Sequence, residues 1–389
     1  MTEVDQSYSL EVRASNHRLW KGRGPLLGRL DMELTERCNH DCIHCCINLP
    51  ADSPAKRKEI STKDAKRVLT EAAALGCLSV RFTGGEPLLR DDFQELYLFA
   101  RRLGLKVLLF TNACLITPQI ADLLANVPPL EPVEVTVYGM SRASYEAVSR
   151  KKGSFDQFRR GLDLLLDRKI PFVVKGALLP FNRGEMELFE EWASTIPWMD
   201  KPPSISLFFD LRCRRDSPAR NSLIQNLRLS PEEGVKILSR DRDRYLRDMK
   251  QFCTRFMGPP GEKLFSCGAG HGACLDAYGR LQPCMMLRHP STVYDLKKGS
   301  LKDALTNFFP TLREMKATNP DYLARCARCF LKGLCEQCPA KSWMEHGTLD
   351  TPVEYFCQVA YAQALDLGLL QKGEHAWEVE DWRERLRIL

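Results

Sequence analysis

Between Arg29 and Arg215, short apolar runs alternate with stretches of helical period. The runs near 30–36, 78–83, 105–111, 133–138, 171–177 and 204–212 read as strands, and those near 61–75, 91–103, 117–126, 154–168 and 184–195 as helices. Six strand–helix steps predict an α/β fold with a parallel sheet, which right-handed crossovers curl into a full or partial barrel. Side chains alternate between faces along a strand, and here the polar ones share a face. Asp31, Glu33 and Thr35 do so, as do Ser79, Arg81 and Thr83. Glu134, Thr136 and Tyr138 form a third set, and Ser204, Ser206, Asp210 and Arg212 a fourth. An ordinary barrel fills its lumen with Val, Ile and Leu. Four polar faces predict an occupied polar cavity instead. A half-solvated antiparallel sheet is the plainer reading, and the intervening helices argue against it.

The pattern also divides the chain. Residues 1–28 read as an extension without period, 29–215 as the barrel, and 216–252, rich in Arg, Asp and Leu, as a helical linker. Residues 253–365 read as a cysteine-rich domain organised by metal rather than by a core, and 366–389 as a peripheral helical tail. The 389 residues suffice for one large and one smaller domain. A net charge of +6, without a Lys/Arg block interleaved with aromatics, does not point to nucleic acid. No run approaches the ~20 apolar residues of a membrane span. The polar start, Met1 to Arg13, argues against a signal peptide, so a cytoplasmic protein off the membrane is expected. The unusual number is 16 cysteines. A chain this long buries its own core. In a reducing compartment, clustered cysteines bind metal or react.

Cys38, Cys42 and Cys45 form a C-x3-C-x2-C group directly after the first strand. Three close thiolates can cap three irons of a 4Fe–4S cube, leaving one iron open. Zinc would close its site with a fourth ligand, for which His40, His44 or Cys46 are at hand. Spacing alone leaves both metals open; position says more. Barrel chemistry sits at the C-terminal ends of strands. The second strand ends in Thr83-Gly84-Gly85-Glu86-Pro87, where glycines allow close approach of a ligand to backbone. Glu86 or backbone carbonyls there can accept bonds from an ammonium group.

C-x3-C-x2-C after strand one with Gly-Gly-Glu-Pro after strand two resembles the radical S-adenosylmethionine (SAM) superfamily over about 29–215. The resemblance implies a partial (β/α)6 TIM-type barrel and an open iron that chelates the amino and carboxylate groups of SAM. It implies reductive cleavage of SAM to a 5′-deoxyadenosyl radical that abstracts a substrate hydrogen. By the same resemblance Gly84, Gly85 and Glu86 hold the SAM amino group, and Thr136 lies near the ribose or carboxylate. Arg150 pairs with the carboxylate, and the backbone of His44 touches adenine. A solvated loop charge is the plain alternative for Arg150.

Downstream run Cys267, Cys274 and Cys284, then Cys326, Cys329, Cys335 and Cys338, then Cys357. Eight cysteines make two sets of four, enough for two fully ligated cubes or two zinc sites. With the upstream motif, the set resembles the SPASM extension of radical SAM proteins. That resemblance implies a C-terminal iron–sulfur domain and three 4Fe–4S clusters in all. One auxiliary cluster would use Cys267, Cys274, Cys284 and Cys338, the other Cys326, Cys329, Cys335 and Cys357. Gly279 fits the pattern; the two residues between Cys335 and Cys338, where relatives commonly have three, depart from it. Fully ligated cubes have no iron for substrate and suit electron relay. Cys46, Cys77, Cys114, Cys213 and Cys253 read as small buried residues, with Cys213 a candidate reactive thiol.

SPASM proteins similar to this one mostly modify ribosomally made peptides or proteins by thioether, carbon–carbon crosslink or oxidation. The expected activity is of that kind, with an external flavodoxin- or ferredoxin-type electron donor. Met285, where sulfatase-maturing relatives have an Asp base, disfavours that branch. Only 37 residues precede Cys38, too few for a leader-recognition domain before the barrel, so a peptide substrate is expected to need a separate recognition protein or direct docking. A small-molecule substrate such as a cofactor or sugar is the alternative, and an electron carrier or zinc-binding interaction protein the non-enzyme one. Lys175 and Asp210 are candidate acid/base groups, with a mutual salt bridge or a SAM contact as the structural alternative.

Overall fold

The computed structural model describes residues 27–388 apart from 258, 259, 266, 268, 271, 336 and 337. Nearly all of the expected N-terminal extension lies outside the described residues. Six strands run parallel in chain order: β1 (Arg29–Thr35), then, after the short pair β2 (Arg37–Cys38) and β3 (Leu49–Pro50), β4 (Ser79–Gly84), β5 (Lys106–Thr111), β6 (Val133–Val137), β7 (Phe172–Ala177) and β8 (Ser204–Ser206). Helices α1 (Thr62–Ala74), α2 (Phe93–Arg102), α3 (Pro118–Asn126), α4 (Arg142–Ser149), α5 (Ser154–Asp167) and α6 (Met186–Ser194) fill the connections. This is the partial barrel that the alternation predicts.

Local chemistry explains the elements. Ser61 caps α1, its hydroxyl accepting from the Asp64 N–H at 3.1 Å. Ala65, Val68, Leu69 and Ala72 then recur at helical spacing and are buried. Each buried Val or Leu contributes about 1.5–3 kcal/mol. In β6, Val133, Val135 and Val137 are buried while Glu134 and Thr136 are half-exposed, and β7 repeats the pattern with Val174 and Lys175. The apolar side faces the helices and the polar side lines the lumen.

Several expectations change. Helix α4 has no counterpart among the expected helices; its Ser141 cap and Tyr145 and Val148 face occupy only eight residues. The sixth strand stops at Ser206 rather than near 212. Beyond it the backbone takes other partners: Phe209 O accepts from Arg228 Nε at 2.8 Å, Arg212 N–H donates to Asn221 Oδ1 at 2.9 Å, and Cys213 N–H donates to Cys46 O at 3.0 Å. The linker is helical, as Pro218–Leu227, Pro231–Leu238 and Arg242–Phe256. The tail is mostly non-helical: only Trp382–Arg385 and a short turn after it are helical, and Leu369, Leu370 and Ala376 pack against Tyr245, Phe330 and Leu331.

The largest departure lies in the cysteine-rich region, which shares the barrel's core. Strand β9 (Ala273–Leu275) pairs parallel with β1, and β10 (Arg280–Gln282) and β11 (Tyr294–Asp295) continue antiparallel from it. The sheet order becomes β11-β10-β9-β1-β4-β5-β6-β7-β8. Leu275, Leu281 and Leu287 share one buried cluster with Leu30, Met32 and Val80. Strands of two or three residues are too short for period to reveal. Among the described residues, no helix is long and apolar enough to cross a membrane.

Candidate active site

A parallel sheet brings the C-terminal ends of its strands to one rim, where the loop carrying Cys38, Cys42 and Cys45 leaves β1. Two backbone bonds dock this loop on the end of α4, Asp41 N–H to Ser149 O at 3.0 Å and Ile43 N–H to Val148 O at 3.1 Å. Arg212 clamps its far side, donating to Cys45 O at 3.2 Å and to Asn48 Oδ1 at 2.9 Å. Arg220 donates to Cys42 O at 3.3 Å and pairs with Asp41.

The three thiols lie within electrostatic reach of one another. Burial, then repulsion from Cys42, raises Cys38; burial, then repulsion from Cys45, raises Cys42. Burial lifts Cys45 to about 11. On their own these thiols stay protonated near neutral pH, and a bound cation is what would hold them as thiolates. Donors already point at the sulfurs: the His40 N–H lies 3.4 Å and Asn112 Nδ2 3.9 Å from Cys38 Sγ, and the Tyr138 hydroxyl bonds the Cys42 thiol. His40 and His44 are both pushed down to about 4, chiefly by burial, so neither carries charge near neutrality. The His44 ring stands 5.1 Å from Phe209 and 6.0 Å from Tyr138. Neither ring nitrogen of His40 has a partner among the described residues.

The Gly84-Gly85-Glu86 segment sits beside this loop for a reason other than the expected one. A Cβ at Gly84 would stand 2.0 Å from Thr35 O, and one at Gly85 2.2 Å from Arg37 O. The close approach is therefore to the backbone of residues 35–37, with Gly85 N–H donating to Thr35 O at 2.7 Å and Glu86 N–H to Arg37 O at 2.9 Å. The Glu86 carboxylate is fully buried and accepts from Thr111 Oγ1 at 2.9 Å, Asn112 N–H at 2.9 Å and Leu88 N–H at 3.2 Å. Those bonds commit it to the fold. Burial nevertheless pushes its carboxyl up to about 7.

Thr136 lines the lumen, level with Lys175 on the next strand. Arg150 caps α4 in the left-handed region (φ 54°) and stands 3.5 Å from Asp41, half-exposed beside the cysteine loop. Lys175 and Asp210 are not brought together. Lys175 pairs with Glu134 and stands 3.7 Å over the Phe110 ring, at mid-strand. Arg81 and Asp31, paired at 3.1 Å, lie on the same lumen wall. Asp210 lies beyond β8, in a cleft of about 330 Å³ that Ser206, Phe208, Lys341 and Cys335 also line.

The downstream cysteines form two neighbourhoods. Cys284 senses Cys338 and Cys267, and Cys274 senses Cys284. Cys326, Cys329, Cys335 and Cys357 line one small apolar cavity. The two-residue spacing between Cys335 and Cys338 still sends these two thiols to different neighbourhoods. Of the remaining cysteines, Cys77, Cys114, Cys213 and Cys253 are buried and Cys46 is partly so. Sequence reasoning missed Asn112, Arg220 and the buried network of Glu33, Glu36 and Arg288. Arg288 donates to Glu33 Oε1 at 2.6 Å and stands 3.1 Å from Glu36.

Residues 32–193 match the family described as the Radical SAM superfamily. Residues 32–193 are a radical SAM domain. The chain is 29% identical over 341 residues to the mycofactocin maturase MftC of Mycolicibacterium smegmatis, covering 83% of this chain and 81% of that one. To the AdoMet-dependent heme synthase of Methanosarcina barkeri it is 25% identical over 334 residues, covering 81% and 92%. To the PqqA peptide cyclase of Bradyrhizobium diazoefficiens it is 36% identical over 141 residues, covering 35% and 36%. In fold it is similar to native anSMEcpe with bound AdoMet and Cp18Cys peptide, with a TM-score of 0.59 at 17% identity, covering 88% and 96%.

Proposed function

We propose that this radical SAM enzyme modifies a ribosomally made peptide or protein, by thioether formation, carbon–carbon crosslinking or side-chain oxidation. The observation that carries the reading is the gathering of Cys38, Cys42 and Cys45 on the rim of a polar lumen, against Gly84 to Glu86. In this reading the three thiolates hold a 4Fe–4S cluster with one iron left for SAM. The residues present suit that group. Thiolates are soft donors fitted to iron–sulfur clusters, and N–H and O–H donors already face two of the sulfurs. Among the described residues, no three His, Cys, Asp or Glu side chains converge closely enough for a single ion. A cube takes its thiolates at separate corners, a looser grouping than a single ion needs.

Bound there, cluster and SAM supply a one-electron cleavage that yields a hydrogen-abstracting radical. The chain's own residues bind and orient. Backbone carbonyls near Gly84 and Gly85 accept from the SAM ammonium. Arg150, beside Asp41, would offer its guanidinium to the SAM carboxylate. Thr136 faces the ribose, and His44, neutral between Tyr138 and Phe209, walls the adenine side and keeps water out. The two downstream neighbourhoods would each hold a fully ligated auxiliary cluster suited to electron relay, three clusters in all. An external flavodoxin- or ferredoxin-type donor, a separate leader-recognition protein and a cytoplasmic site of action complete the reading.

The near full-length likeness to a maturase supports the peptide substrate. The heme synthase, matched over 92% of its length, supports a second reading with a small-molecule cofactor substrate. Anaerobically reconstituted protein is expected to carry about twelve irons per chain and, given dithionite and SAM, to release 5′-deoxyadenosine. No 5′-deoxyadenosine overturns the site assignment. A mass change in a short peptide encoded beside the gene supports the first substrate, and turnover of an iron porphyrin alone supports the second.

A further inference from the structure

We propose that a basic groove at the β10–β11 end of the sheet is the docking surface for a small acidic electron-carrier protein. The inference rests on the functional reading above, because SAM cleavage consumes an electron that must come from outside the chain. The groove, about 1030 Å³, lies between the turn after β3 and the β9–β10 hairpin. Arg57, Lys58, Arg67, Arg214, Arg280 and Lys297 line it, against only Glu59, Asp64 and Asp295.

Most of the anions, and the inner cations, are already engaged. Glu59 is bound by Arg37, Arg67 stands 3.9 Å from Asp64, and Arg280 is paired to Asp276 at 2.8 Å. Arg57, Lys58 and Lys297 form no ion pair among the described residues, so the rim carries uncompensated positive charge. Lys56, exposed beside them, extends the patch and pairs with Asp91. A solvated face is the ordinary fate of such a run, but here the groove leads inward. Its wall residue Glu59 accepts from Arg37 Nε at 2.8 Å and Nη2 at 3.2 Å. Arg37 precedes Cys38 in β2, and β2 pairs with β3, which leads into the basic turn Pro54–Lys58. Tyr278 and Arg214, also in the wall, both bond Glu36, two residues before Cys38.

Redox encounters use small interfaces, and complementary charge raises their association rates by roughly 10–10³-fold. One electron passes from the reduced carrier to the cluster on Cys38, Cys42 and Cys45, with no bond made or broken at the interface.

The test uses the reconstituted enzyme and measures the rate of cluster reduction, by visible bleaching and electron paramagnetic resonance, with reduced flavodoxin or with dithionite. Reversing three charges (Arg57→Glu, Lys58→Glu, Lys297→Glu) is expected to slow reduction by flavodoxin at least tenfold and flatten its salt dependence. Dithionite reduction stays unchanged, and so does flavodoxin reduction in the control Arg159→Glu with Arg160→Glu on the outside of α5. Flavodoxin binding, followed by calorimetry with the oxidised carrier, should weaken in parallel. Unchanged flavodoxin kinetics overturn the proposal. So does a rise in the KM of an acidic peptide with reduction unaffected, which makes the groove a substrate site. If dithionite reduces no cluster in the parent enzyme, the functional reading fails first and takes the proposal with it.

Discussion

Residues 29–206 and residues 273–295 contribute strands to one sheet but hold them by different means. In the first region each strand is flanked by a helix whose apolar face covers it: α1 lays Val68 and Leu69 inward, α2 Leu96 and Tyr97, α5 Phe158 and Leu162. In the second, strands β9 to β11 span two or three residues each. They lean on β1 and on buried charge, with Arg288 between Glu33 and Glu36 and Arg280 on Asp276. Around them stand cysteines with few regular elements. The first region carries its stability in apolar burial. The second borrows a barrel edge and, in our reading, two clusters.

That contrast sets the expected size of each perturbation. The largest separates the two sets of cysteines. Cys38→Ala should abolish SAM cleavage, read as loss of 5′-deoxyadenosine, with iron falling by about one third. Cys357→Ala should keep most of that cleavage while losing the modified product. Equal loss of 5′-deoxyadenosine in both variants would erase the functional distinction. Next, stripping the clusters with a chelator should raise amide exchange across 326–357 by about a hundredfold or more while 29–177 changes little. Uniform deprotection would mean that the barrel needs the clusters as well.

Arg288→Met leaves Glu33 buried without its paired cation, while Glu36 keeps Arg214. Chemical denaturation should show a loss of about 3–5 kcal/mol. A loss below about 1 kcal/mol would mean the network does not tie the regions together. The smallest effects compare two glycines. Gly85→Ala drives a Cβ into Arg37 O and should cost about 1–3 kcal/mol. Gly279→Ala meets only Ile60 at 3.7 Å, so its cost is that of placing alanine at a φ of +83°, about 1 kcal/mol. The reverse order would deny the backbone crowding beneath the cysteine loop.

Much of the site could be read along the chain because its signals are local. The thiol spacing of Cys38, Cys42 and Cys45 and the strand before it lie within one short segment. The two downstream sets came from resemblance; in the structure Cys284 lies near Cys338 and Cys267, and Cys326, Cys329, Cys335 and Cys357 line one cavity. Other parts were hidden. Glu86 reads as an open acceptor in sequence, yet Thr111, Asn112 and Leu88 occupy its carboxylate, and those partners come from neighbouring elements. Lys175 and Asp210 share strand parity, but parity does not reveal height in the lumen, and Glu134 on the adjacent strand takes the lysine.

By itself the sequence determined the strand and helix periods, the polar lining of the lumen and the local grouping of the cysteines. Each follows from which face of an element is apolar, or from spacing within one loop. Only the tertiary structure decided that β9 completes the edge of β1, that Gly84 and Gly85 make room for backbone, and that a basic groove opens behind Cys38. These depend on segments far apart in sequence meeting at one place. Such contacts are selected by packing and charge pairing in three dimensions, and leave no period along the chain.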